Sequence, residues 1–482
     1  ADAHVGEGVT LGDDEALVGA AKISMYPQPD AEKGQVWEKN RAKCLTQSAN
    51  DANNTLTHAA DWSSPWIENT NCIYAGGFGL GPSQPLIEFD SVHGLWIRSV
   101  AYAKDGQTLV LTLIDAEGYF GQYNSMCGAV KCGIFDIQDE LAAELAVSHP
   151  ELGAKPESFI MASTHAHSAP DLIGGWGGVP KWYMDQIANA LRDSVRQAID
   201  AMEPAVLEAG ESLARGFNSE RRSNYHSAED PTLNWLRASD RDGNTIATVG
   251  TYAAHPTSFG GSWAEANGDW PAQFAMRAEE RFGGVAIGFN AGLGNMSARG
   301  NSRGSMGVGL ADRLPALGAG TLVSNPRVRV KREFWDQPVT NLPLGSLGAA
   351  GFFDRPFGGP AVLQVPGKEG TNKPCRSSGP TSVRVTSVAA KIGDVVVTAA
   401  PGEIFANFSN TIEETSPITG LAIGQANDAL GYMPQQFETD YAARQGLGFA
   451  GARFFEYEDA YSIDHCFGDK ALEVQTRLLK TL

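Results

Sequence analysis

Three pairs of strand-like runs, each joined across an Asp-Gly or Gly-Asp dipeptide, limit the folds open to this chain. Arg98 to Ala103 and Leu109 to Ile114 flank Lys104-Asp105-Gly106; Leu233 to Ala238 and Thr245 to Thr251 flank Asp242-Gly243; Ser382 to Ala390 and Val395 to Ala400 flank Gly393-Asp394. These dipeptides readily take the positive φ angles of tight turns, so each pair reads as an antiparallel hairpin. Between them, the apolar spacing of Ile134, Ile137, Leu141, Leu145 and Val147 predicts a helix over 134–148. Trp182 to Met202 is a second helical pattern, stopped by Glu203-Pro204, and Trp270 to Phe282 a third. Short apolar runs at Phe159 to Ala162, Val285 to Phe289 and Leu421 to Gly424 read as buried strands. Helices alternating with mostly hairpin-linked strands predict an α/β fold, a mixed β-sheet sandwich flanked by helices. Residues 1 to about 95, rich in Gly, Pro, Asn and Trp, are expected to form a loop-rich segment, and 340–380 a loop insertion. With 42% hydrophobic content in 482 residues, the whole of 1–482 is read as one domain with a large core.

The formal charge of -19 excludes nucleic-acid phosphate and anionic membrane surfaces as attractive partners, so any lipid handled is expected to meet an apolar pocket. No apolar run approaches the roughly 18 to 20 residues of a transmembrane segment. The amino end, Ala1-Asp2-Ala3-His4, reads as a mature end left by processing. Six cysteines (Cys44, Cys72, Cys127, Cys132, Cys375 and Cys466) lack the paired CxxC spacing of a zinc module and fit disulfides in a secreted or periplasmic protein. Cys127 with Cys132 would close a small loop and Cys44 with Cys72 would brace the segment between them; the competing reading is six buried thiols in a cytosolic protein.

Chemistry concentrates at strand ends. His165 and His167 follow Phe159 to Ala162, and if that run continues as a strand they project from the same face as half of a zinc site. His255, Glu403 and Tyr432 follow other strands. Taken singly each has a bland reading: His255-Pro256 as a capped turn, Glu403 as a helix N-terminal residue, Tyr432 as core. Two adjacent imidazoles are harder to dismiss, because they repel once protonated. Spacing alone lets both histidines of the pair bind a metal.

In order and content these motifs resemble the neutral, non-lysosomal ceramidases, a family of zinc-dependent amidases. Thr164-His165-Ala166-His167-Ser168-Ala169-Pro170 is similar to the family's Thr-His-Thr-His-Ser-Gly-Pro, His255-Pro256-Thr257-Ser258 to its second zinc histidine motif, Pro401-Gly402-Glu403 to its zinc carboxylate, and Asn427 to Tyr432 to its zinc tyrosine segment. The resemblance implies a Zn2+ cofactor held by His165, His255, Glu403 and Tyr432, with His167 as a proton-transfer group. It further implies active-site roles for Arg222, in Arg221-Arg222-Ser223, for Ser297, in Leu293-Gly294-Asn295-Met296-Ser297, and for Tyr457, in Tyr457-Glu458. The implied activity is cleavage of the N-acyl amide of a ceramide-like lipid by metal-activated water. The alternatives are an amidase or esterase acting on another acylated substrate, such as a glycolipid or cell-wall component, and a non-catalytic secreted zinc-binding protein. Ala169 replaces the family's glycine and Asn295 its aspartate, and the chain ends near Leu482 without room for the family's immunoglobulin-like domain. Loops 60–85, 172–182 and 340–380 are expected to decide the substrate, with Trp62, Trp66, Trp176 and Trp182 in or beside them.

Overall fold

The computed structural model describes residues 10–28, 72–78, 83, 85–90, 94–222, 228–259, 265–299, 305–366, 374–439 and 457–482. Its largest element is a mixed sheet built in chain order from β1 (Glu15–Ser24), β2 (Trp96–Lys104), β3 (Gln107–Ile114), β4 (Phe159–Ser163), β5 (Glu203–Leu213), β6 (Thr232–Asp240), β7 (Thr245–Tyr252) and β8 (Val285–Asn290). The spatial order is β8-β7-β6-β5-β1-β2-β3-β4, with the short strand Thr321–Leu322 on β5. The outer pairs β3–β4 and β7–β8 are parallel and the inner pairs antiparallel. A second sheet, β9 (Val328–Val339), β10 (Thr381–Ile392), β11 (Val395–Ala399) and β12 (Gly420–Ile423), lies in that order.

The two sheets face one another across an apolar layer in which Val18, Val100, Leu111, Ile160 and Val249 meet Val388, Ile392, Val397 and Leu421. Helices α1 (Ile134–Ser148) and α2 (Lys181–Asp200) cover the outer face of the large sheet, and α3 (Asp269–Phe282) packs its Trp270 and Phe274 with Trp235 and Ala286. Helices α4 (Ala406–Glu413) and α5 (Phe467–Leu479) cover the second sheet. The result is the expected sandwich, each sheet burying one face on its partner and the other under helices. At β1 the close approach of α2 requires glycine: a Cβ on Gly19 would lie 2.1 Å from Ala198 O.

All three hairpins form, and Asp105 and Gly106 both take positive φ (55° and 68°), as a two-residue turn between twisted strands requires. Other expectations change. The segment 1 to about 95 holds β1, the strand between β5 and β2; its small residues, Ala16, Gly19, Ala20 and Ala21, left no alternation to read because both faces are covered. Glu203-Pro204 ends α2 but also opens β5. The span 340–380 is not a plain loop: it contains the helix Leu342–Ala349, capped by the Asn341 side chain, and a hairpin of Ala361–Val365 with Cys375–Gly379. Its Gly and Pro content hid them.

Among the described residues Cys127 bonds Cys132 and Cys375 bonds Cys466; Cys72 is also disulfide-bonded, while Cys44, Trp62 and Trp66 lie outside the described residues. No described helix is long and apolar enough to cross a membrane. Cys375–Cys466 ties that hairpin to the start of α5 across a sequence separation of 91. Changing both cysteines to Ser is expected to lower the unfolding free energy by about 2–4 kcal/mol, read from urea midpoints, and changing Cys127 and Cys132 to cost less because their loop is short. Equal losses would contradict the loop-length argument.

Candidate metal centre and its cavity

The large sheet curls without closing, and its free edges meet near the ends of β4 and β8. Residues following β12 fill the seam: Gly424 N donates to Asn290 O at 2.9 Å, and Ser163 N to Gln425 O at 3.0 Å. Asn290 Nδ2 donates to Thr164 O. The carboxyl ends of strands from both sheets therefore open at one place.

β4 stops at Ser163, before the two histidines. His165 then takes a left-handed turn (φ 56°), an uncommon conformation for a residue with a side chain, held by its N–H donating to Ala116 O at 2.9 Å. The pair consequently does not share a strand face; their rings stand 5.0 Å apart at 76°. His255 lies beyond β7, its N–H donating to Met296 O at 3.0 Å. Glu403 and Tyr432 are register partners in a short parallel ladder, Glu403–Ile404 with Tyr432–Met433, which places their side chains next to each other.

Each histidine is oriented through Nδ1. His165 Nδ1 meets Glu117 O at 2.9 Å and Glu117 Oε1 at 3.2 Å; His167 Nδ1 meets Gly77 O at 2.8 Å; His255 Nδ1 meets Met296 O at 3.2 Å. A carbonyl accepts only from an N–H, so these partners assign the proton to Nδ1 and the lone pair to Nε2. Glu403 Oε2 lies 2.9 Å from His255 Nε2 and 3.6 Å from His165 Nε2, and the Tyr432 hydroxyl 3.3 Å from His255 Nε2. Four ligands 2.0–2.1 Å from a tetrahedral centre stand about 3.3 Å from one another, so these separations fit a metal ion of zinc's size. Lone pairs facing a carboxylate oxygen at these distances also repel unless a positive charge lies between them.

The charges of these groups also act strongly on one another. Burial pushes the Glu403 carboxyl up, but the His165 and His255 rings outweigh it and hold it well below the usual range. Burial lowers His165, and Glu403 with Glu117 outweighs burial, raising it to about 9. Burial and the Arg221 guanidinium take His255 down to about 4. Burial, helped by His165 and His255, holds His167 well below its ordinary value; burial raises Glu117 to about 8.

Above these groups is a cavity with two kinds of wall. Glu117, His165, His167, Glu403, Gln425 and Tyr432 make its polar end. Phe120, Ile173, Trp176, Val339, Leu344 and Phe353 make much of the rest, so the 172–182 and 340–380 segments do line it. Trp182 instead packs edge-on to Tyr183.

No protein-family model matches the sequence, and no curated protein matches it. Solved structures do. One described as a neutral ceramidase from Pseudomonas aeruginosa superposes with a TM-score of 0.60 at 16% identity, over 97% of this chain and 74% of the other. A ceramidase complexed with C2 gives the same score and identity over 96% and 76%. The chain has the neutral ceramidase-type fold.

Within that ceramidase-type fold, His165, His255, Glu403, Tyr432 and His167 converge, and Tyr457 joins the cavity wall with its ring 5.9 Å from that of Tyr432. Among the described residues Arg222 makes no hydrogen bond or ion pair with His165, His255, Glu403 or Tyr432. Its guanidinium is fully buried, donating to Glu438 O at 2.6 Å. The arginine at the centre is Arg221, which donates to the Tyr432 hydroxyl at 2.9 Å and to Glu458 Oε1 at 2.7 Å and lies 3.4 Å from His255 Nδ1. Both follow the three-residue strand Asn218–Glu220, too short for its alternation to be read from sequence. Ser297 enters through its backbone, bridging to His255. The residues that sequence reasoning missed are Glu117, Gln425, Arg221 and Phe78, the last stacked on His167 at 4.2 Å and 6°. Glu117 and Gln425 each lie just beyond a strand, so the rule that found His255 could have found them.

Proposed function

We propose that this protein is a zinc-dependent amidohydrolase that cleaves the N-acyl amide of a ceramide-like lipid. The observation that carries the reading is the convergence of two imidazole Nε2 atoms, the Glu403 carboxylate and the Tyr432 hydroxyl at the polar end of an otherwise apolar cavity, in a ceramidase-type fold. His165, His255, Glu403 and Tyr432 would hold the ion. Bound zinc supplies a Lewis acid that makes water acidic enough to give up a proton near neutral pH.

The chain's own groups do the rest. His167, fixed by Gly77 O and the Phe78 ring, offers a neutral Nε2 that takes a proton from the attacking water and returns it to the departing amine nitrogen. Arg221, clamped by Glu458, and the phenol of Tyr457 stabilise the negative charge that grows on the carbonyl oxygen. The apolar wall takes the acyl chain and excludes water. The C–N bond breaks, the oxygen of water stays on the acyl carbon, and the products are a carboxylate and a free amine. The disulfides among the described residues support work in an oxidising, extracytoplasmic compartment.

Incubation with N-acylsphingosine and with N-acyl amides of other amines is expected to release carboxylate and amine in equal amounts. A chelator should stop the reaction and zinc restore it. Release from esters alone would overturn the amidase reading, and full turnover by metal-free protein would overturn the metal site.

A further inference from the structure

We propose that Arg355 and Asp428 are positioning residues whose buried ion pair holds the cavity's apolar wall in the shape that selects long acyl chains. The inference rests on the amidohydrolase reading and adds to it the residues that set chain-length selectivity. Three stretches of chain meet in that wall: one through Phe120, one through Phe353 and Phe357, and one through Ala429 and Leu430 that runs on to Tyr432. None of them is helix or strand at these residues, so side chains must fix them against one another. Asp428 is where they join. It is fully buried; its Oδ1 accepts from Gly121 N at 3.0 Å and Ala429 N at 3.1 Å, and its Oδ2 from Arg355 Nη2 at 2.7 Å and Nε at 3.1 Å. Arg355 is 1% exposed, and it also donates from Nη1 to Gln122 Oε1 at 3.0 Å and from Nη2 to Arg384 O on β10. One carboxylate and one guanidinium therefore bind all three stretches to each other and to the second sheet.

A buried ion pair contributes little net stability, because both charges give up hydration that an apolar pair would not need. What it supplies here is direction, since a guanidinium and a carboxylate bond along fixed lines. Asp354, the neighbour of Arg355, bonds elsewhere, accepting from Ser125 N and Met126 N. Among the described residues the hydrogen bonds that join 351–357 to Asp428 all come from Arg355. The placement of Phe353 and Phe357 in the wall depends on them. Each methylene that a chain buries on a fixed apolar wall is worth about fourfold in binding, and an acetyl group is too short to gain from it. Tyr432 is held separately, by its ladder with Glu403 and by Arg221, so loosening the pair leaves the proposed metal ligands in place.

The test uses zinc-loaded protein and two amides of one amine, N-acetyl and N-octanoyl. The wild type should favour the octanoyl member by at least about 100-fold in kcat/KM. Arg355→Met and Asp428→Asn should each lower that ratio by at least about tenfold through the KM of the octanoyl amide, with its kcat within about twofold and about one metal per chain retained. Arg355→Lys, which keeps a charge against Asp428, should preserve more of the ratio than Arg355→Met. The double variant should lose no more than the worse single one, because the two residues act as a unit. It leaves no buried charge unpaired, so it also replaces either single variant that fails to fold. A ratio that stays at the wild-type value in folded variants overturns the proposal, as do equal losses on both amides, a loss confined to kcat, and loss of the metal. So does a wild type that cleaves amides without preferring the octanoyl member; each of these leaves the amidase reading standing. Absence of wild-type turnover on every amide overturns the amidase reading and this inference with it.

Discussion

Glu403→Ala protein, purified and zinc-loaded, is expected to retain less than about a tenth of a metal ion per chain at concentrations where the wild type holds about one, and to lose amide hydrolysis by about 10³-fold or more. Among the described residues Glu403 is the anionic group shared by both histidines: Oε2 lies 2.9 Å from His255 Nε2 and 3.6 Å from His165 Nε2. Removing it leaves two imidazoles and a phenol whose neighbour is the Arg221 guanidinium, a poorer set for a dication. Losing a partner one shell further out commonly costs 10–100-fold in metal affinity, so loss of a direct ligand should exceed that. Folding is checked separately, because the Glu403–Ile404 ladder is made by backbone and survives an alanine. Metal bound at full stoichiometry in folded Glu403→Ala would place the ion elsewhere, and Glu117 with His165 and His167 is the other described cluster within reach.

The sequence made legible those features whose physics is local. An Asp-Gly turn declares its hairpin through the φ angles it allows, and α1 declares itself by apolar spacing, its predicted bounds of 134–148 matching Ile134–Ser148. Strand-end reasoning together with motif resemblance found five groups that the fold brings together from segments more than 200 residues apart. It failed where meaning depends on a partner elsewhere. β1 carries small residues because α2 presses on one face and the second sheet on the other, and no pattern within ten residues states that. Arg221 and Arg222 are adjacent and chemically identical; only the distant Tyr432, Glu458 and Glu438 decide which of them faces the His255, Glu403 and Tyr432 cluster. Glu117 is a strand-end carboxylate like Glu403, yet it gains its significance from His165, 48 residues on.

His167→Ala is expected to keep about one metal per chain and to lower turnover by about 10²–10⁴-fold, the contribution of a positioned proton-transfer group. The geometry separates it from the proposed ligands. Its Nδ1 is held by Gly77 O at 2.8 Å and its ring lies flat against Phe78, whereas its centroid is 6.5 Å from that of His255. The cluster that gathers His165, His255 and Glu403 within 4.8 Å does not include it. A ring so fixed presents one lone pair to the cavity, where on the proposed reading water and the departing amine would exchange a proton. Added imidazole should restore part of the turnover of His167→Ala, since the vacated space opens on the cavity and the missing function is a base rather than a bond to the ion. Loss of metal in this variant would make His167 a ligand after all, and unchanged turnover would pass the proton to another group, for which Glu117, on the same wall, is the candidate that Glu117→Gln would then test.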